Sequence, residues 1–207
     1  MPTEIEIVDL ALRRIGASPV QSIDNPKAEK PLAIYRAIRD DILSRYPWTC
    51  CRRTRALSRL TAAPTQHWAY AYQMPSDILG APRAAYDQSE CRVPFVDWEL
   101  SLGPDGTAAK ELHSNATAVW LRFGIAAPPA AWPGYLLELV RLALMAEFAL
   151  SIREDLRMWS TLRTAAYGSD SMMGEGGHFG QAKALDAYGE PSPSMAGGVN
   201  PLVDVRF

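Results

Sequence analysis

Ile5, Val8, Leu12 and Ile15 recur at the spacing that gathers apolar side chains on one face of a helix. Thr3 followed by Glu6 supplies a capping box for its start, and Gly16 a left-handed residue for its end. A turn rich in Ser, Pro, Asp and Asn follows. A second helix is predicted from Glu29 or Lys30, because Pro31 fits only a first turn. Its core stripe is Tyr35, Ile38, Ile42 and Tyr46, and Pro47 ends it by disfavouring helical geometry at Tyr46.

From Trp48 to Phe123 the period shortens to two, most plainly where Trp68, Tyr70 and Tyr72 alternate with Ala69 and Ala71. Strands are predicted over 53–60, 68–73, 80–86, 92–102, 111–113 and 117–123. Gly103-Pro104-Asp105-Gly106 reads as a turn between two of them, and an antiparallel meander is the simplest arrangement. Beyond a proline and alanine spacer at 126–133, Leu136, Leu137, Val140, Leu144 and Phe148 predict a third helix at the centre of a bundle. A fourth is predicted over 155–167. The GSDSMMGEGGHFG stretch after it is a poor helix former, so a break or loop precedes helical residues 181–188. From Gly189 the chain is rich in Pro, Ser and Gly and has too little apolar surface to fold alone, yet Val203, Val205 and Phe207 alternate at its end. Such a tail orders on a partner.

The pattern as a whole predicts an α+β protein with no internal repeat. Residues 1–47 and 126–188 form a four-helix bundle, 48–125 an inserted antiparallel β domain, and 189–207 an extended C-terminal tail.

A chain of 207 residues accommodates one or two folding units. Its 21 Lys and Arg against 23 Asp and Glu provide no long-range field for gripping nucleic acid or an anionic membrane, so any DNA contact is local. Cys50, Cys51 and Cys91 form no CxxC pair, and an odd count cannot close a complete disulfide framework, which fits assembly in a reducing cytoplasm. The opening residues lack the basic start and apolar run of a signal peptide. Glu138, Arg141 and Glu147 interrupt the most apolar segment, 135–152, so it reads as a packed helix and no membrane partner is expected.

Candidate chemistry is sparse. His67, His113 and His178 fall on three predicted elements without a ligand at metal spacing, so no metal, no cofactor and no catalytic residue is assigned. Cys50 and Cys51 read as small core residues. The glycines at 174, 176, 177 and 180 match neither a dinucleotide turn nor a phosphate loop. Neighbours in a helix diverge by about 100°, so Asp40-Asp41 and Glu154-Asp155 read as solvated faces. Arg52, Arg53, Arg55 and Arg59 form a short basic run that either faces a DNA channel or a neighbouring subunit, or is a solvated strand edge. Trp48, Trp68, Tyr70 and Tyr72 are the aromatic structural anchors, filling core and cross-strand positions.

Three stretches in order, DLALRRIGASPV at 9–20, YRAIRDDILSRYPW at 35–48 and WAYAYQMPSD at 68–77, resemble tail tubular protein A and related head-to-tail adaptors of tailed bacteriophages. The resemblance runs over most of the chain and departs most at the glycine-rich 174–180 segment. It implies a non-enzymatic virion component at the head-tail interface, assembled in the host cytoplasm. Copies would form a ring, dodecameric, that docks on the portal protein, meets a tail nozzle or other tail proteins, and passes genomic DNA without sequence specificity. Adaptors of this kind extend a C-terminal segment to the portal or a neighbouring subunit. Here that segment is Asn200, Pro201, Leu202, Val203, Val205, Arg206 and Phe207. Readings from other classes are a cell-wall hydrolase, which needs a convergent acid pair or metal set, and a DNA-binding or packaging accessory protein working through the arginine run. Within the structural class, short-tailed and long-tailed phage adaptors are equally compatible with the residues.

Overall fold

The computed structural model describes residues 2–19, 28–62, 64, 67–103 and 110–189. Among them the protein is α+β, with five α-helices and two antiparallel three-stranded sheets. Packing divides it into two units, one made by the chain up to Ile34 and from Trp132 onward, the other by Tyr35–Ala131. The gap at 20–27, the Gly103-Pro104-Asp105-Gly106 turn from Pro104 on, and the C-terminal tail from residue 190 lie outside the described residues.

In the first unit, α1 (Glu4–Arg14) starts at the capping box, where Thr3 Oγ1 accepts from the Glu6 amide at 3.3 Å and Glu6 Oε2 accepts from the Thr3 amide at 2.8 Å. Gly16 follows with φ +72°. The buried stripe is Ile7, Val8, Ala11, Leu12 and Ile15; Ile5 is half-buried. α2 (Glu29–Arg45) starts where Pro31 permits, and the boundary between the units falls inside it.

α3 (Gly134–Ser151) is apolar around most of its circumference and packs against α1, α4 (Leu156–Tyr167) and α5 (Gly177–Ala187). Leu136, Leu139, Val140, Leu144 and Phe148 are fully buried on it, each contributing roughly 1.5–3 kcal/mol. Asp155 caps α4 by accepting from the Met158 amide at 2.9 Å. The predicted break after Tyr167 is present as a 3-10 turn, Asp170–Met172, but helix resumes at Gly177, ahead of the expected residue 181. Burial of Phe179 and Ala182 explains the early start, since docking an apolar face outweighs the weak helix propensity of glycine. The break is closed by Gly168 and Gly177, at φ +82° and +55°.

Glu138 ties α3 to α1 through Arg14 Nη1 at 2.9 Å and also meets Arg141 at 3.4 Å. Partial burial pushes its carboxyl pKa up, but the hydrogen bonds and charges of Arg14 and Arg141 outweigh this and hold it below the usual value. A depressed folded-state pKa stabilises above the unfolded value, about 4.3, and the gain is lost as pH falls through the folded value. Glu138→Gln is therefore expected to melt earlier than the parent at neutral pH, with the difference shrinking below pH ~4. Thermal melts across a pH series measure it.

In the second unit, α2 ends at Arg45 and the chain turns through Trp48 and a 3-10 turn, Thr49–Cys51, into the β region. The strands are β1 (Arg52–Ala56), β2 (Tyr70–Gln73), β3 (Ile78–Tyr86), β4 (Trp98–Leu102), β5 (Lys110–Ser114) and β6 (Trp120–Ile125). They are all antiparallel, but they do not form the expected meander. The orders are β1-β6-β3 and β2-β5-β4, and β4 with β5 alone pair as sequence neighbours. Alternation along a strand reveals its two faces and not its partner.

The two sheets are joined at both margins. Past β1, Arg59 bridges Tyr72, with Leu60 N to Ala71 O at 2.8 Å and Gln73 N to Ser58 O at 2.9 Å. Past β3, the Phe95 amide donates to Ala85 O at 2.9 Å. Tyr72, Ala85, Leu112, Val119, Leu121 and Phe123 fill the space between the sheets.

Candidate interaction surfaces

Every residue of β1 is exposed, so Arg52, Arg53 and Arg55 stand on an open strand. Arg53 and Arg55 lie opposite Phe123 and Leu121, on the core-facing side of the sheet margin, where long side chains can lay their stems over apolar surface. The Arg55 guanidinium sits 5.8 Å from the Phe123 ring centre and binds Asp77 through both nitrogens, at 3.3 and 3.1 Å. Arg53 reaches the same carboxylate at 3.8 Å. Arg59 is separated from this pair and stacks over Tyr70 at 3.6 Å. Within the basic run, Arg53 and Arg55 thus share one carboxylate and Arg59 stacks on a ring, while Arg52 stands exposed at the start of β1.

The four aromatic anchors take different positions. Trp48 is 1% exposed and donates its indole N–H to Ile42 O at 2.9 Å. Tyr72 is in the core between the sheets, its hydroxyl donating to Ala116 O at 2.5 Å. Burial raises its pKa, with nearby Arg59 opposing and Tyr70 adding to the rise. Tyr70 packs at the rim under Arg59. Trp68 is half-buried ahead of β2, touching the His67 ring and donating to Glu99 Oε2 at 3.0 Å. Ala71, on the opposite face of β2 from the tyrosines, is buried as well.

Several of the other titratable groups take part in structural contacts. His113 Nε2 lies 3.1 Å from Glu111 Oε2 on its own strand, and His178 Nε2 3.2 Å from Tyr135 O. Asp40 is bound by Arg39 and Asp41 by Arg45, both at 2.8 Å. Cys51 is buried, Cys50 and Cys91 are half-buried, and none is disulfide-bonded. Among the described residues no group of three or more His, Cys, Asp and Glu side chains is placed to hold a metal ion, and no helix is long and apolar enough to cross a membrane.

A groove of about 560 Å³ in the first unit is lined by Leu12, Gly16, Pro31, Ile152 and two cations. Arg153 donates to Ile15 O at 2.7 Å and Lys30 to Ser151 O at 3.2 Å. Both cations satisfy carbonyls at helix C-termini, and the described lining includes the hydroxyls of Ser18 and Ser151 but no carboxylate, histidine or cysteine.

A patch that the hydrophobic pattern does not mark surrounds β4. Val96 is 92% exposed, Val93 77% and Leu102 62%. The strand expected over 92–102 is shortened to Trp98–Leu102, because Pro94 offers no amide and Phe95 is engaged by Ala85. The partners Asp77 and Glu99 also carry no local signal, being 22 and 31 residues from the side chains they bind. The docking segment Asn200, Pro201, Leu202, Val203, Val205, Arg206 and Phe207 lies outside the described residues. No protein-family model matches the chain, and no curated protein matches it.

Proposed function

We propose that the chain is a head-to-tail connector subunit of a tailed bacteriophage, a structural protein that forms a ring, dodecameric, between the portal and the tail. The observation that carries this reading is the ordered trio of segments at 9–20, 35–48 and 68–77. In this reading the helices of residues 1–47 and 126–188 make the four-helix bundle, the strands form the inserted domain, and residues 200–207 extend to the portal or a neighbour. Such a subunit works through broad faces with aromatic and arginine contacts and needs no catalytic centre. Its near-neutral charge lets DNA slide through a channel without being held.

The open arginines of β1 favour a second reading, a DNA-binding or packaging accessory protein. That reading requires binding by the isolated chain that weakens steeply with salt, with a log-log slope of about −0.9 per neutralised phosphate.

Electron microscopy of virions carrying a tag on this chain, together with the purified protein mixed with portal, tests the proposal. The expected result is a ring of tagged density between portal and tail. Absence of the chain from the particle would overturn it.

A further inference from the structure

Exposed sheet edges in stable folds are usually blunted or covered, because unpaired backbone groups invite another strand. Here the margins of β2 and β3 are occupied. Residues 58–60 bond along β2, while Phe95 and the end of α2 cover β3, with Arg83 donating to Ser44 O at 3.4 Å. Among the described residues no strand pairs with the outer edges of β1 and β4. The two edges differ in chemistry. β1 carries arginines, of which Arg53 and Arg55 share the one carboxylate of Asp77. β4 lacks the basic residues that commonly blunt an edge; it carries Glu99, with Asp97 before it, and exposes Leu100 and Leu102.

From this complementarity we infer that copies of the protein join head to tail, β4 of one copy pairing antiparallel with β1 of the next. The inference rests on the reading of the chain as a ring subunit and supplies its contact. With Leu100 opposite Thr54, Glu99 falls opposite Arg55 and Trp98 opposite Ala56, whose partner on β6 is Trp120. One face of the joint is then an opposite-charge pair beside Asp77, and the other brings Trp98 and Leu100 over Ala56 and Trp120. Because the two edges are different surfaces, each copy keeps one of each free, and the contact repeats until rotation closes it. The occupant of the β4 edge is therefore a second copy of this chain.

Sedimentation velocity across a concentration series tests the joint. Wild type is expected to form species larger than a dimer. Arg55→Glu and Glu99→Arg are each expected to raise the half-assembly concentration by about ten-fold or more, by replacing an opposite-charge pair with a like-charge one. The double variant is expected to recover. Leu102→Lys, at an exposed position clear of the Asp77 contact, should lose assembly while melting like the parent. Wild type that stays monomeric to millimolar concentration overturns the inference, as does a double variant that fails to recover. So does a wild type that stops at a dimer indifferent to Arg55→Glu, the sign of β4 pairing with itself. A monomeric wild type nevertheless found between portal and tail would sink the joint and keep the connector reading. Assembly with this mutational pattern in a protein absent from virions would do the reverse.

Discussion

Trp48→Ala is expected to lower the unfolding free energy by about 3–5 kcal/mol, a large share of the roughly 5–15 kcal/mol available to a typical domain. The indole is 1% exposed and bonds Ile42 O, and its ring meets Tyr46 edge-on at 4.8 Å and 66°. It stands where α2 gives way to the strands, next to buried Cys51. Truncation therefore leaves a cavity and removes a buried hydrogen bond to the Ile42 carbonyl at the entry to the β region. Trp48→Phe separates the two effects, since it fills most of the volume but has no N–H; its cost should be nearer 1–3 kcal/mol, roughly that of one lost buried hydrogen bond. Urea titrations give both values. A loss under about 1 kcal/mol for Trp48→Ala would mean that the site collapses around the missing ring, contrary to a packed junction.

Gly177→Ala is expected to cost about 3 kcal/mol, far beyond the few tenths typical of a surface substitution. A Cβ there would lie 2.6 Å from Gly168 N and 2.7 Å from Ala165 O. Both are backbone atoms and cannot swing aside. The residue also has φ +55°, which penalises any side chain by about 1–2 kcal/mol. Gly134→Ala is the matched control, because nothing lies within 4 Å of its Cβ position. Differential scanning calorimetry should show a lowered midpoint for the first and none for the second. Equal midpoints would show that the turn between α4 and α5 can shift as a whole.

These glycines illustrate what can be read from residues alone. Local signals carried over directly: the Thr3 and Glu6 box, the Pro31 start, the Pro47 stop and the Asp155 region each depend on atoms within one turn of chain. The glycine-rich stretch was legible as a helix break, but its compact form depends on Gly168 and Gly177 meeting across the turn. Strand positions were legible from alternation, whereas the order β1-β6-β3 was not, because pairing is decided by which faces find a common core. The arginine run was visible as composition. Its division was not, since Asp77 and Tyr70 reach it only after the strands have paired.

The ties that fasten α1 have a temporal side. Arg14 waits for Glu138, and the carbonyl of Ile15 waits for Arg153, which is 138 positions later in the chain. A ribosome adding roughly 5–20 residues per second needs on the order of ten seconds to supply these partners. Throughout that interval Tyr35–Ala131 is a continuous stretch with its own core. Synthesis should therefore yield a settled β region while the first helix still has its apolar stripe uncovered, and a chaperone that meets the nascent chain would find its binding site near the amino end.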